Sequence, residues 1–170
     1  NIPVYILGSS TDSAHLAAAK GLPYVFASHF APAQLHQALA IYHNEFKPSR
    51  YLDKPYTMAG ANIIVAQTTA EAEFRATSMY RSMLGVLTQQ RDFVQPPTKV
   101  DNAMRQLRNH PALQNMLKYS FIGDEASVAE QTQQFIEATG IDEIITTSYL
   151  YHQQHRLESL ALFANIMQQL

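Results

Sequence analysis

The stretch Gly8-Ser9-Ser10, with Ser13 one helical turn further on, carries the side chains best suited to holding a ligand. The glycine admits close backbone approach and the serines offer hydroxyls. A helix opening here presents unpaired N–H groups, and the combination suits a phosphate. Serine and threonine are also ordinary helix N-caps, so the same residues fit a purely structural reading. A second stretch, Ser28-His29-Phe30, sets a group that titrates near neutral pH beside an aromatic ring. It suits acid–base work, a hydrogen bond to a ligand ring, or a structural bond to a loop carbonyl. His152 and His155 are spaced for one helix face, and His36 and His43 lie on another helix. Neither pair is joined by a carboxylate or cysteine cluster, and both read as solvated helix positions rather than metal ligands. Tyr149 and Tyr151 either line a pocket mouth or pack a helix turn. No Ser-His-Asp arrangement, Walker loop or GxGxxG is present, so no catalytic residue and no metal site is assigned.

Strands and helices must position these groups. Ile2 to Leu7 is a short apolar run expected to be a strand buried on both faces. The Gly8 turn leads into an Ala-rich helix, Ala14 to Lys20, closed by Gly21 and Pro23. A second strand, Tyr24 to Ser28, follows, then a helix from Pro32 to Phe46 with Leu35, Ala38, Leu39, Tyr42 and Phe46 on one stripe. The third strand lies within Tyr56 to Ala66. Thr68-Thr69-Ala70-Glu71 reads as a capping box opening a helix to about Leu87. Residues 89–120, with Pro96-Pro97 and two short helical stretches, read as an insertion. A helix from Glu125 to Thr139, a fourth strand from Asp142 to Ser148 and a last helix from His152 to Gln169 complete the chain. In the last helix Leu157, Leu160, Ala161, Ala164 and Met167 recur at helical spacing.

Four strands, each followed by a helix, imply right-handed βαβ units and a parallel sheet. Four such units amount to half of a (β/α)8 TIM barrel, one segment over residues 1–170 with the helical insertion before its last strand. Ligands of such sheets bind at the carboxyl ends of the strands, which is where Gly8 and Ser28 fall. The two outer strands would leave unpaired edges that something should cover.

Composition narrows the class further. The 170 residues contain no cysteine, which excludes disulfide frameworks and thiolate chemistry and fits a cytoplasmic location. Net charge is -2, without a basic stripe, so nucleic acid is not an expected partner. No apolar run approaches the ~18 to 20 residues of a membrane helix. Charged residues make up only 15% of the chain, against about 25% in ordinary soluble domains. Part of the surface is therefore expected to be covered by protein. The start at Asn1, without Met and just before a strand, reads as that of a piece of something longer.

Several segments together resemble one family. They are Ile2-Pro3-Val4-Tyr5-Ile6-Leu7-Gly8-Ser9-Ser10, Gly21-Leu22-Pro23-Tyr24 running on to Ala27-Ser28-His29-Phe30-Ala31-Pro32, Ser120-Phe121-Ile122-Gly123-Asp124, and Ala138-Thr139-Gly140-Ile141-Asp142-Glu143-Ile144. Their order and spacing resemble the C-terminal half of bacterial luciferase-like flavin monooxygenases. The resemblance implies a (β/α)8 barrel of about twice this length, of which this chain carries strands five to eight. It implies reduced FMN, delivered by a separate flavin reductase, that activates dioxygen to oxidise a small organic substrate; related branches use F420. Gly8, Ser9, Ser10 and Ser13 match the family's phosphate-contacting segment, which favours the phosphate reading over capping. Ser28 and His29 fall near the flavin ring, and residues 89–120 near the active-site mouth. The open edges would be covered by the missing N-terminal half or, in a non-catalytic truncated half-barrel, by a second copy. Without the family's early acid/base His and basic phosphate partners, the isolated piece is expected to be inactive.

Overall fold

A computed structural model describes residues 2–170; Asn1, the first residue of the expected single segment, lies outside the described residues. The elements, in order, are β1 (Ile6–Gly8), α1 (Thr11–Lys20), β2 (Tyr24–Phe26), a 3-10 turn (Pro32–Gln34), α2 (Leu35–Glu45), β3 (Thr57–Val65) and α3 (Thr69–Leu87). There follow α4 (Asn102–Arg108), α5 (Pro111–Met116), β4 (Ser120–Gly123), α6 (Glu125–Thr139), β5 (Glu143–Thr147) and α7 (Gln153–Met167). The chain divides into two compact units, one running to Ala61 and including Ile136–Thr146, the other comprising Asn62–Phe135 and Thr147–Leu170. β3 runs through both.

In the first unit β1 pairs in parallel with β2 through Ile6↔Tyr24 and Gly8↔Phe26, and β2 pairs in parallel with the start of β3 through Tyr24↔Thr57 and Phe26↔Ala59. β5 also pairs β3. The backbone of Thr57 accepts from the amide of Asp142, and the Asp142 carboxylate receives the Thr57 amide at 2.7 Å and its hydroxyl at 3.0 Å. Ala14, Ala17 and Ala18, all without exposure, let α1 lie close against its neighbours. Tyr42 is buried on α2, where its hydroxyl donates to the Leu22 carbonyl.

β1 departs from expectation. A strand buried on both faces was anticipated at Ile2 to Leu7, yet the strand is three residues long, and Leu7 is 65% and Val4 53% exposed. The apolar run described a strand that needs neighbours on every side, and among the described residues β1 pairs with β2 alone. β2 and β3, which have strands on both edges, are buried throughout.

In the second unit the end of β3 pairs in parallel with β4, from Asn62↔Ser120 to Val65↔Gly123. β4 is a fifth strand that the sequence reading did not contain. Ser120 and Gly123 at its ends gave it little apolar signature, and its partner along β3 is what defines it. Asn62, fully buried, donates to the Ser120 hydroxyl at 2.9 Å and accepts from the Thr147 hydroxyl at 2.7 Å. Ile64, Met79, Tyr80, Leu113 and Leu150 are at the centre of this unit's core. α4 and α5, the helices of the insertion, pack along α3, with Leu113 inside the core and Met104 and Leu107 against it.

Thr68 caps α3 by accepting from the Glu71 amide at 3.2 Å, but only half of the expected capping box forms. The Glu71 carboxylate turns instead to Arg75, a buried guanidinium that also meets Glu158 at 2.9 Å. On α7 the expected apolar stripe is not the buried one. Leu157 is 60% exposed, while Ser159, Phe163 and Ile166 are inside. Both stripes have helical spacing. The choice is made where the Ser159 hydroxyl accepts from the Val65 amide at 2.8 Å, which turns that face toward β3. No helix of the described residues is long and apolar enough to cross a membrane.

Candidate functional site

Two strand exits of the first unit lie side by side. The register Gly8↔Phe26, with the Ala27 amide donating to the Gly8 carbonyl at 2.8 Å, sets the chain leaving β1 next to the chain leaving β2. Adjacent strands stand about 4.8 Å apart, so the serines after β1 and the Ser28-His29 turn after β2 flank one rim.

At the first exit Ser10 holds the N-cap of α1 in extended backbone (φ -135°, ψ 168°), and its side chain makes no capping bond. The capping reading of this serine is not realised. Thr68, Asp101 and Asp124 show what capping looks like here, each accepting from an amide three residues on. Asp124 accepts a hydrogen bond from Ser127 and from the Thr69 hydroxyl, and these bonds hold its carboxyl below the usual carboxylate range. Ser9 is exposed and Ser10 half-buried, and the first-turn amides of α1 have no acceptor within the helix. Asp12, exposed in the same turn, already answers part of the helix dipole there.

Ser13 is held inward. Its hydroxyl donates to the Ser10 carbonyl at 2.7 Å and lies 3.1 Å from the Tyr24 hydroxyl, which itself donates to the same carbonyl at 3.3 Å. Burial pushes the Tyr24 phenol above its ordinary value, against a smaller opposing effect of the Ser13 hydrogen bond, so it stays a donor at neutral pH. Gly8 is explained by the same group. A Cβ there would stand 2.2 Å from Ser13 Oγ. The close approach that the glycine permits is that of Ser13, which braces the Ser10 backbone under the rim.

At the second exit Ser28 is fully buried and its hydroxyl donates to the Gly60 carbonyl at 2.6 Å. Its hydroxyl is thus committed to β3. His29 is half-buried, its ring edge-on to Phe30 with centroids 5.1 Å apart, and burial lowers its pKa below the ordinary histidine value. A neutral imidazole at pH 7 can donate or accept a hydrogen bond, and it can take up a proton.

The structure therefore brings Gly8, Ser10 and Ser13 together, leaves Ser9 open at the surface, and sets Ser28 and His29 on the neighbouring exit. Two contributors were missed. Tyr24 could not be told from an apolar strand residue. Gly60 could have been noticed, because a glycine inside a buried strand signals close approach of another group. The remaining candidates separate. Tyr149 packs against the core of the second unit, and Tyr151 is exposed against the His152 ring. His152 and His155 have ring centroids 5.2 Å apart. Burial chiefly, with the nearby Arg75 and His152, lowers the pKa of His155. Among the described residues no group of three or more His, Asp or Glu side chains is placed to hold a metal. An apolar cavity of about 620 Å³, lined by Leu84, Leu87, Leu107, His110 and Leu113 among others, lies at the last turn of α3. Fifteen residues of helix, roughly 22 Å, separate that turn from the start of α3 at the exit of β3.

Comparison with known proteins shows the family and agrees with the fold. The family described as luciferase-like monooxygenase matches residues 1–143. A luciferase-like monooxygenase of Escherichia coli K12 is 39% identical over 169 residues, 99% of this chain and 50% of that protein. An uncharacterized protein of Bacillus subtilis, YddN, is 33% identical over 172 residues, again 50% of its length. The chain thus spans about half the length of the curated relatives it matches. Crystalline apo-MsnO8 superposes with a TM-score of 0.82 at 23% identity, over 98% of this chain and 51% of that one. More distant structures share the fold. The oxygenating constituent of 3,6-diketocamphane monooxygenase, in complex with FMN, has a TM-score of 0.61 at 16% identity over 96% of this chain and 46% of its own. An F420-dependent secondary alcohol dehydrogenase has one of 0.56 at 12% identity over 94% and 47%. With its parallel α/β architecture of the TIM-barrel type and a match over most of its length, the chain belongs to the luciferase-like monooxygenase family.

Proposed function

We propose that this chain is the phosphate-holding half of a flavin-dependent monooxygenase, in which reduced FMN and dioxygen oxidise a small organic substrate. The observation that carries the reading is the uncapped start of α1 at the exit of β1, beside His29 at the exit of β2. Ser9, Ser10 and the first-turn amides would hold the phosphate, with Ser13 and Gly8 fixing the backbone beneath. Ser28 would hold the second exit in place, and His29 would meet the ring. A bound reduced flavin supplies the electrons that activate oxygen. The protein residues bind it, orient it and keep water away. Residues 8–19 contain no Lys or Arg. The phosphate would rest on hydroxyls and amides without a basic side chain to pair with, and this chain alone would bind weakly and be inactive. A separate reductase would deliver the cofactor in the cytoplasm. F420 is the second reading, supported by the F420-dependent neighbour.

Fluorescence titration of the chain with FMN, riboflavin and F420 tests this. FMN is expected to bind, weakly but saturably, and more tightly than riboflavin. Equal affinity for FMN and riboflavin would sink the phosphate assignment, and binding of F420 alone would replace FMN by the deazaflavin.

β1, which has a free edge, and the residues just before it expose Val4, Tyr5 and Leu7, all about half exposed or more. We propose that this edge is covered by four further βα units, from the rest of a longer protein or from a second copy. Light scattering on the isolated chain is expected to return a mass above the 19.1 kDa monomer. A monomer that persists with rising concentration would refute the need for a cover.

A further inference from the structure

β3 has a glycine in its interior, between Ala59 and Ala61, in a strand without exposed residues. A glycine weakens a strand interior unless another group needs its space. Here the group is identified. A Cβ on Gly60 would lie 2.3 Å from His29 Nδ1 and 3.3 Å from both Cγ and Cε1 of the same ring. The imidazole points its Nδ1 corner at the Gly60 Cα, and that nitrogen is shut off from solvent. The opposite edge of the ring, Nε2 and Cδ2, is then the one turned away from β3. Two further contacts constrain the same turn. The Ser28 hydroxyl donates to the Gly60 carbonyl at 2.6 Å, and the Phe30 ring meets the imidazole nearly at right angles.

We propose that Gly60 is a positioning residue for His29, its missing side chain forming the seat that aims the Nε2 edge of the imidazole at the rim where a flat heteroaromatic ligand is held. Gly60 touches no ligand; it acts through the histidine. Ser28 ties the backbone of β2 to the residue that forms the seat, so the ring and its support move together. Burial in this seat also explains why the His29 pKa lies below the ordinary histidine value. The identity of the ligand rests on the flavin reading above, whereas the seat does not.

A double-mutant cycle tests the seat. Gly60→Ala is expected to lower the melting temperature by several degrees, and His29→Ala to restore most of that loss in the Gly60→Ala background, because the added methyl then has room. Additive losses would overturn the proposal. If Gly60→Ala alone fails to fold, recovery of folding in the double variant supports the seat and failure of both refutes it. NMR titration of folded Gly60→Ala gives a second readout. The His29 midpoint should rise toward its ordinary value near 6.5 as the ring is expelled; an unchanged midpoint would count against the seat. FMN and riboflavin should lose affinity together on Gly60→Ala, by about tenfold. Full affinity in that variant would remove the ligand-facing role. If the parent chain binds no flavin, the functional reading falls while the cycle still decides the seat.

Discussion

Ser10→Asp is expected to abolish most of the advantage of FMN over riboflavin while leaving the protein at least as stable as before. Aspartate is among the best N-cap residues, and a carboxylate at a helix N-terminus is favoured by the dipole. Ser10 already has the extended N-cap backbone and uses no side-chain cap, so the new carboxylate can take amides that are uncapped in the parent. A phosphate would then lose those donors and meet a negative charge. One or two charge-assisted bonds at about 1.5 kcal/mol or more each correspond to roughly a ten- to hundredfold loss in affinity. Riboflavin, which lacks the phosphate, should be unaffected. The measurement is a paired fluorescence titration with a thermal melt. Undiminished FMN binding by a folded Ser10→Asp protein would move the phosphate elsewhere.

The second large effect concerns the frame rather than the rim. Ile64→Ala should cost about 3 to 4 kcal/mol, since Ile64 is fully buried in β3 among Met79, Tyr80, Leu113 and Leu150, and a cavity there cannot collapse easily. For a chain of this size the melting temperature should fall by about 8 to 14 °C. Leu157→Ala, on the exposed stripe of α7, should change stability by no more than about 0.5 kcal/mol. Urea denaturation of the two variants distinguishes the stripe that is buried from the one that merely has helical spacing. Similar losses in both would show that α7 packs through Leu157.

Much of this arrangement could be read from residue types. The helix stops at Gly21 and Pro23, the start of α3 at Thr68 and the alternation of strands and helices follow from local sterics and hydrogen bonding, which a short segment carries within itself. The two strand exits were also readable, because Gly8-Ser9-Ser10 and Ser28-His29 fall where a strand must end. Other features were hidden for stated reasons. β4 is four residues with polar or small ends, and only pairing with Asn62 to Val65 makes it a strand. On α7 two stripes competed, and a serine bonded to the Val65 amide settled which faced in.

The sequence alone determined the alternation of helices with parallel strands and the two strand exits at Gly8 and Ser28, because those depend on periodicity and on residues that start or stop a backbone conformation. It also carried, in its low charge content, the sign of apolar surface left uncovered. Only the tertiary structure decided the roles within the rim. It turned Ser13 inward to brace Ser10, committed Ser28 to the Gly60 carbonyl, and seated His29 on a glycine 31 positions away in sequence. Such roles arise from which groups meet across strands, and register, not composition, sets those meetings.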